Sequence, residues 1–463
     1  MTQERLTPLD ASFLDVETSS AHMHVGWAAV FDPPERGASP SFEQLRDHIG
    51  RRLRRAPRYR QRLTTVPLGA GRPVWTDDER FDIGRHVRCA DSSDLGSVVD
   101  SAMSTPLGRE HPLWELWIAD RLPDGRLGIA GKAHHCMVDG IAAVELAALL
   151  LDVEPSTTPD PPDEWQPRPA PGRASLLAGA VADMAGSSLE LAQSGVRTAL
   201  SPRRGLRVAW GAARALAHTL APAPNVPLLN EPISPYRHLA TLARSLDDFR
   251  RVRHAFGTTV NDVLLAVAAG GVRRYLERRG EQPVPIKTMV PVNLRGDEGG
   301  VGNRITFLFL ELRCDEPDPV RRLEAIHRAT SERKEAAEPE GAEAVLRLVS
   351  AGPQVVQRAF SRLAASPLAF NVVVSNIPGP PETLYMLGCP LREAYPVVPL
   401  ADRHAVSIGF TTVAGGAYFG LYADRDALPD ADALAADLDA SLNELLERSG
   451  AAAPKQPEPV HAG

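Results

Sequence analysis

Two adjacent histidines, His134 and His135, end the run Leu127-Gly128-Ile129-Ala130-Gly131-Lys132-Ala133, and Asp139 and Gly140 follow. The run reads as a strand, and residues 144–151 read as a helix. A histidine at the end of a strand projects its ring into a crevice from a rigid element. The unperturbed imidazole pKa, about 6.5, lies near working pH, so such a ring suits removal of a hydroxyl proton as that oxygen attacks a carbonyl. With a thioester as acyl donor, no covalent enzyme intermediate is required. One base plus stabilisation of the oxyanion is enough. Asp139, four residues past His135, can fold away from the ring at a strand-to-helix bend and brace the loop by pairing with an arginine. A histidine pair alone is an ordinary feature near a turn. The full spacing HHxxxDG at such a junction is what points to chemistry.

Other chemistries for the same residues are poorer. Cys136 beside the histidines invites a thiol nucleophile, but neighbouring strand residues point to opposite faces, which separates it from His135. A zinc site from His134, His135 and Asp139 fails for the same reason and has no further ligand cluster nearby. Gly69-Ala70-Gly71-Arg72 lacks the Lys-Ser/Thr and the spacing of a phosphate loop.

The elements that must position the histidines can be read from periodicity. Residues 25–31 form a strand. Residues 42–53 form a helix with Leu45, Ile49 and Leu53 on one face. Residues 114–122 and 127–133 form two strands joined at Pro123-Asp124-Gly125. Residues 155–173 are rich in proline and acid and read as a linker. Residues 175–220 are rich in Ala and Leu and read as two helices flanking a break at Pro202. Farther on, helices are expected over 246–256, 260–279, 319–337 and 430–448. Strands are expected over 286–291, 305–313, 372–375, 405–413 and 417–423. This gives a first unit at 1–154 carrying HHxxxDG, a linker and helical segment at 155–228, a second unit at 229–450 and a disordered tail at 451–463.

The bulk numbers agree with an enzyme of two units. A chain of 463 residues exceeds one ordinary core. A net charge of −7 gives no pointer to nucleic acid. The scattered Cys89, Cys136, Cys314 and Cys389 read as reduced thiols of a cytosolic protein. The first ten residues lack a basic segment followed by an apolar one, so no signal peptide is expected. No window reaches the roughly 18 apolar residues of a membrane span, so any membrane contact is expected from the surface. Two segments bear on that contact. Eight arginines between Arg46 and Arg62 make either a surface for anionic lipid and coenzyme A phosphates or the polar face of a helix. Residues 175–220 make either an interfacial helix or one packed on the body.

Seven motifs carry a family resemblance. His134-His135-Cys136-Met137-Val138-Asp139-Gly140 is the signature of acyltransferases sharing the chloramphenicol-acetyltransferase-like fold, a superfamily that includes peptide-synthetase condensation domains. Pro8-Leu9-Asp10 with Phe13, and Pro112-Leu113-Trp114, resemble segments of the bacterial wax ester synthase/diacylglycerol acyltransferase family. So do Leu229-Asn230 with Ser234 and Arg237, and Thr259-Val260-Asn261-Asp262-Val263-Leu264-Leu265-Ala266. Pro291-Val292-Asn293-Leu294-Arg295 with Gly302-Asn303 is similar to another, with asparagine where serine is common. Val374-Ser375-Asn376-Ile377-Pro378-Gly379-Pro380 is similar to the last. All run in family order.

The resemblance implies an α/β fold with mixed sheets, built as two acyltransferase domains with a tunnel between them. It implies transfer of a long-chain acyl group from acyl-coenzyme A to diacylglycerol or a long-chain alcohol, giving triacylglycerol or wax ester. His135 would be the general base. His134 and Asp139 would shape the loop, Gly140 would permit its turn, and Arg295 would be the partner of Asp139. Asn261 and Asp262 would lie near the substrate channel. Asn376 would donate to an oxyanion or hold the turn before Pro378. Trp114 would contact substrate or pack. Acyl-coenzyme A is a co-substrate, and no metal or bound cofactor is expected. The expected location is cytoplasmic, with a peripheral contact to the inner membrane or lipid droplets. Two alternatives remain: an acyltransferase of the same superfamily acting on another lipid or a carrier-bound substrate, and a non-catalytic lipid-droplet protein.

Overall fold

The structure is a computed structural model that describes residues 4–137, 149–155, 160, 165–182, 202–294, 304–336, 338–350, 352 and 354–451. The strands are β1 (His24–Phe31), β2 (Gln61–Thr64), β3 (Val74–Asp77), β4 (Val87–Cys89), β5 (Trp114–Ala119), β6 (Leu127–His134), β7 (Arg237–Ser245), β8 (Ile286–Leu294), β9 (Arg304–Leu312), β10 (Val372–Ile377), β11 (Tyr385–Met386), β12 (Cys389–Val397), β13 (Val406–Val413) and β14 (Gly416–Asp424).

Two six-stranded sheets carry the fold, in the orders β11-β12-β1-β6-β5-β4 and β7-β14-β13-β10-β8-β9, with β2 and β3 as a separate pair. Both large sheets are mixed. Parallel pairs occur at β4–β5, β10–β13 and β10–β8. The fold class therefore stands as read from the sequence.

The second half is organised by the helix Val260–Arg278. Thr259 and Asp262 form a capping box at its start, which satisfies two of its orphan backbone donors. Val263 to Ala269 are wholly buried, so the helix is apolar on every side and sits in the core under the closing helix, Ala431–Ala451. Length and composition alone would let it form a bent membrane pair with Leu246–Phe256, but no single helix among the described residues is long and apolar enough to cross a membrane. In the first half, Phe42–Arg52 starts with a Ser41–Gln44 capping box and buries Leu45 and Ile49 completely.

One expectation needs correction. The segment 229–450 is not a unit of its own, because β11 and β12 complete the first half's sheet by pairing β12 antiparallel to β1. Pairing partners are not encoded in periodicity, and Pro390 and Pro396 argue locally against a strand inside a sheet. The expected linker is tied to the first half at described residues. The Asp160 carboxylate is within 3.1 Å of Arg52, Arg54 and Arg55, and Arg168 binds Asp77. Residues 175–220 contain the two expected helices, Arg173–Ala182 and Pro202–Leu220. Residues 183–201, next to the expected break at Pro202, lie outside the described residues. The expected helix at 144–151 and the tail after 451 fall outside the described residues, apart from 149–151.

β12 also joins the two sheets. Gly409 and Gly420 face each other in β13 and β14. A Cβ on Gly420 would lie 2.0 Å from the Pro396 carbonyl oxygen, and one on Gly409 would lie 2.9 Å from the Pro396 ring. Only glycine permits that approach.

Candidate active site

His134 and His135 are sent in different directions by the end of β6. His134 is paired with His24 of β1 and shares a face with Lys132, two residues back. That face meets the helix Leu95–Ser104, where the Lys132 ammonium donates to the carbonyls of Ala102 and Thr105 at 2.8 Å each. Burial lowers the Lys132 pKa to about 8 against the opposing pull of Glu115. The His134 ring is buried, and its Nδ1 accepts the Cys136 N–H at 3.1 Å. The proton of the neutral ring is therefore on Nε2, 3.7 Å from Glu17 Oε1. Burial, reinforced by Arg109, holds its pKa down at about 3. His134 is a neutral brace for the turn.

His135 lies one residue beyond the strand. Its N–H donates to the Met23 carbonyl at 2.9 Å, which pins the backbone to the start of β1. Its ring stacks on Phe13 of the helix Pro8–Val16, with centroids 3.6 Å apart and planes 10° from parallel. The ring is half-buried and lines a cavity of about 680 Å³.

Both halves of the chain contribute to that cavity. Val25 and Trp27 come from the first sheet, and Met289, Val373 and Asn376 from the second. Besides Pro8–Val16, described helices of the later chain cover it. Ala342, Val345, Leu346 and Val349 face it from Glu338–Ser350, Phe360 and Ala364 from Gln354–Ala364, and Leu216 and Thr219 from Pro202–Leu220. This spacing is that of one helical face. The lining is mainly hydrocarbon, with a few polar groups among which His135, Asn261 and Asn376 are prominent. The Asn376 amide donates to Asn261 Oδ1 at 3.4 Å, tying β10 to the first turn of Val260–Arg278. Asp10 also borders the cavity, and its carboxylate accepts the Thr7 hydroxyl at 2.6 Å.

The structure thus gathers His135, Asn261 and Asn376 around one space, and it places two other candidates elsewhere. Trp114 does not line the cavity. It is fully buried, donates from its indole to the Tyr59 carbonyl at 2.7 Å and stacks on His86. Its role is packing. Asp262 also misses the cavity. The carboxylate receives Thr330 at 2.7 Å, His327 at 2.8 Å and Thr259 at 2.8 Å. Burial pushes its pKa up, but these bonds outweigh burial and hold it below the usual carboxylate range. Asp262 therefore anchors the helix, while its neighbour Asn261 lines the cavity. Asp139, Gly140 and Arg295 lie outside the described residues.

Burial raises the Cys136 thiol far above its ordinary pKa, the opposite of what a nucleophile needs. The arginines after Arg46 serve mostly as struts. Arg52 pairs with Asp152 and Asp160, Arg58 packs over Trp75, and Arg60 is buried between Phe81 and Trp165. Among the described residues, no group of three or more His, Cys, Asp or Glu has the arrangement of a metal site.

Periodicity left two contributors unread. Phe13 stood only as part of a motif, and nothing in its local pattern points to His135. The cover helices at 338–364 carry a signal at i, i+3/4 and i+7, but those positions line a cavity instead of a core.

Comparisons with known proteins follow the same geometry. Residues 6–264 match the wax ester synthase/diacylglycerol acyltransferase catalytic domain, and residues 301–446 match the WS/DGAT C-terminal domain. A Mycobacterium tuberculosis protein named as a probable diacylglycerol O-acyltransferase is 32% identical over 462 residues, covering 96% of this chain and 99% of the relative. A second from that organism is 31% identical over 466 residues, covering 95% of each. The solved wax ester synthase/diacylglycerol acyltransferase of Marinobacter aquaeolei superposes with a TM-score of 0.68 at 28% identity, covering 97% of this chain and 100% of that one. The starter condensation domain of rhizomide synthetase, at 14% identity and a TM-score of 0.58, shares the fold.

Proposed function

Because the chain belongs to the wax ester synthase/diacylglycerol acyltransferase family and is an acyltransferase, we propose that it transfers a long-chain acyl group from acyl-coenzyme A to diacylglycerol or a long-chain alcohol, with His135 as the general base. The observation that carries this reading is the placement of His135. Among the described residues it is the one imidazole lining the cavity, and the walls around it are mainly aliphatic. His135 takes the proton of the acceptor hydroxyl as that oxygen attacks the thioester carbonyl. The tetrahedral intermediate expels the thiolate, and the imidazolium returns the proton to it. The products are a neutral ester and free coenzyme A. The step calls for no metal or resident cofactor, since the thioester is already an activated donor. Asn376 and Asn261 supply amide groups beside the reacting centre, where a donor to the developing oxyanion is needed.

A lipid surface is the proposed source of the acceptor. What supports this is the outer side of the same cover helices. Trp210 and Leu220, Leu348, Val355 and Leu363 are exposed on Pro202–Leu220, Glu338–Ser350 and Gln354–Ala364, respectively. Large exposed apolar side chains concentrated on one region mark an interaction site, and here the inner sides of the same helices line the cavity. The proposed location is cytoplasmic, at the face of the inner membrane or of lipid droplets. The function is tested by incubating the purified protein with labelled palmitoyl-coenzyme A and a panel of acceptors. Labelled wax ester or triacylglycerol is expected. Label that moves to no lipid acceptor would overturn the reading.

A further inference from the structure

Behind the reaction cavity lies a second, smaller chamber of about 90 Å³, between the two sheets. Its walls are Ala29 and Phe31 of β1, Leu391 and Ala394 of β12, Val413 of β13 and the turn at Gly379-Pro380, with Thr411 as the one hydroxyl-bearing residue among the described ones. Among the described residues, no charged side chain lines it. A space of that chemistry takes hydrocarbon and excludes a phosphate, a sugar or a carboxylate.

The chamber is next to the site of reaction. Gly26, Trp27, Ile377 and Pro378 border both spaces. Trp27 is the largest part of this shared wall. It is opposite Gly131 on one neighbouring strand and Pro396 on the other. A Cβ on Gly131 would lie 2.6 to 2.8 Å from three atoms of the indole, so the ring lies directly over the glycine. This accounts for a glycine inside a strand that leads to the catalytic histidine, where it would otherwise weaken the strand.

Taking the proposed function as given, we propose that this chamber receives the methyl end of a substrate's aliphatic chain, and that Trp27 is the partition setting how long that chain can be. Each methylene that enters adds the transfer free energy of one buried CH₂, about fourfold in kcat/KM. The chain comes from the acyl donor or from the alcohol, and chemistry alone does not separate them because both ends are alkyl.

Two substitutions test the partition from opposite sides. Trp27→Ala opens the wall and moves the preferred chain length upward. Ala394→Leu fills the chamber from a wall that the reaction cavity does not share and moves the preferred chain length downward. Each variant is assayed with acyl-coenzyme A from eight to twenty carbons against one alcohol, then with alcohols of that range against one acyl donor. The series in which the optimum moves identifies the chain that enters. Profiles that superpose on wild type in both series, for folded Ala394→Leu and for Trp27→Ala or the milder Trp27→Phe, overturn the proposal while leaving the acyltransferase reading intact. Binding of alkyl-coenzyme A thioethers of the same lengths gives the comparison without turnover. With binding of free long-chain alcohols beside it, this comparison also decides the chamber's role if no variant, wild type included, transfers acyl groups.

Discussion

Met23 holds the backbone of His135, and Phe13 stacks on its ring. The Phe13 stack helps to fix the plane of the imidazole. An aromatic pair contributes about 0.5–1.5 kcal/mol beyond its buried area, so Phe13→Leu should lower kcat about two- to tenfold with KM for acyl-coenzyme A nearly unchanged. Steady-state kinetics check this. A change confined to KM would assign Phe13 to binding instead. The His134 brace predicts a different outcome. His134→Ala leaves the Cys136 N–H without its acceptor and opens a hole beside Lys132, so the melting temperature should fall by several degrees, while activity of the folded fraction falls less than for His135→Ala. At this scale the sequence was informative wherever a motif named a residue type with an obvious chemical use. It misled for Asp262, which the resemblance placed beside the channel with Asn261, whereas only Asn261 lines the cavity. Their division follows from which side of the helix meets His327 and Thr330, and that is a property of tertiary packing.

The elements divide into those whose inner side meets a core and those whose inner side meets a cavity. Val260–Arg278 is of the first kind, and its Asp262 anchor satisfies Thr330, His327 and Thr259 together. Asp262→Ala should destabilise the protein by about 1–3 kcal/mol, the cost of leaving buried donors unpaired, with chain-length preference unchanged. Chemical denaturation measures the first, and an unchanged midpoint would remove the anchor role. The cover helices are of the second kind. Replacing Trp210, Leu348 and Val355 together by serine should reduce co-sedimentation with anionic phospholipid vesicles severalfold, yet leave hydrolysis-independent transfer to a water-soluble short alcohol near wild type. Equal vesicle binding by both proteins would contradict the proposed surface. Elements with a regular period and a core-facing side were legible from sequence, including β1, β6 and Phe42–Arg52. β12 was not, because its two prolines oppose a strand locally and its partner, β1, is some 360 positions away in the chain.

In the whole molecule two sheets close on one cavity, and several cross-chain struts hold them. Arg237 pairs with Asp424 at 2.9 Å and also reaches the Ser20 carbonyl. His238 bridges Asp100 and Asp432 at 2.7 and 3.1 Å. The bond to Asp100 is the main cause that raises the His238 pKa to about 9. A histidine in the unfolded chain titrates near 6.5, so the charged bridge stabilises fully below that pH and is lost as pH rises through about 9. Wild type should therefore lose more thermal stability between pH 6.5 and 9 than His238→Gln does, and parallel curves in scanning calorimetry would refute the strut. The two-part organisation and mixed α/β class were legible in the length and element pattern. The exchange of β12 between the halves, which turns two units into one reaction space, was not, since it is written only in long-range pairing. The central claim is that His135 moves the acceptor's proton. Its most direct test is the release of free coenzyme A from palmitoyl-coenzyme A by wild type and His135→Ala, with and without a long-chain alcohol or diacylglycerol. The account predicts acceptor-dependent release by wild type and a loss of about 10²- to 10⁴-fold in a folded His135→Ala protein, and wild-type rates in that variant would contradict it.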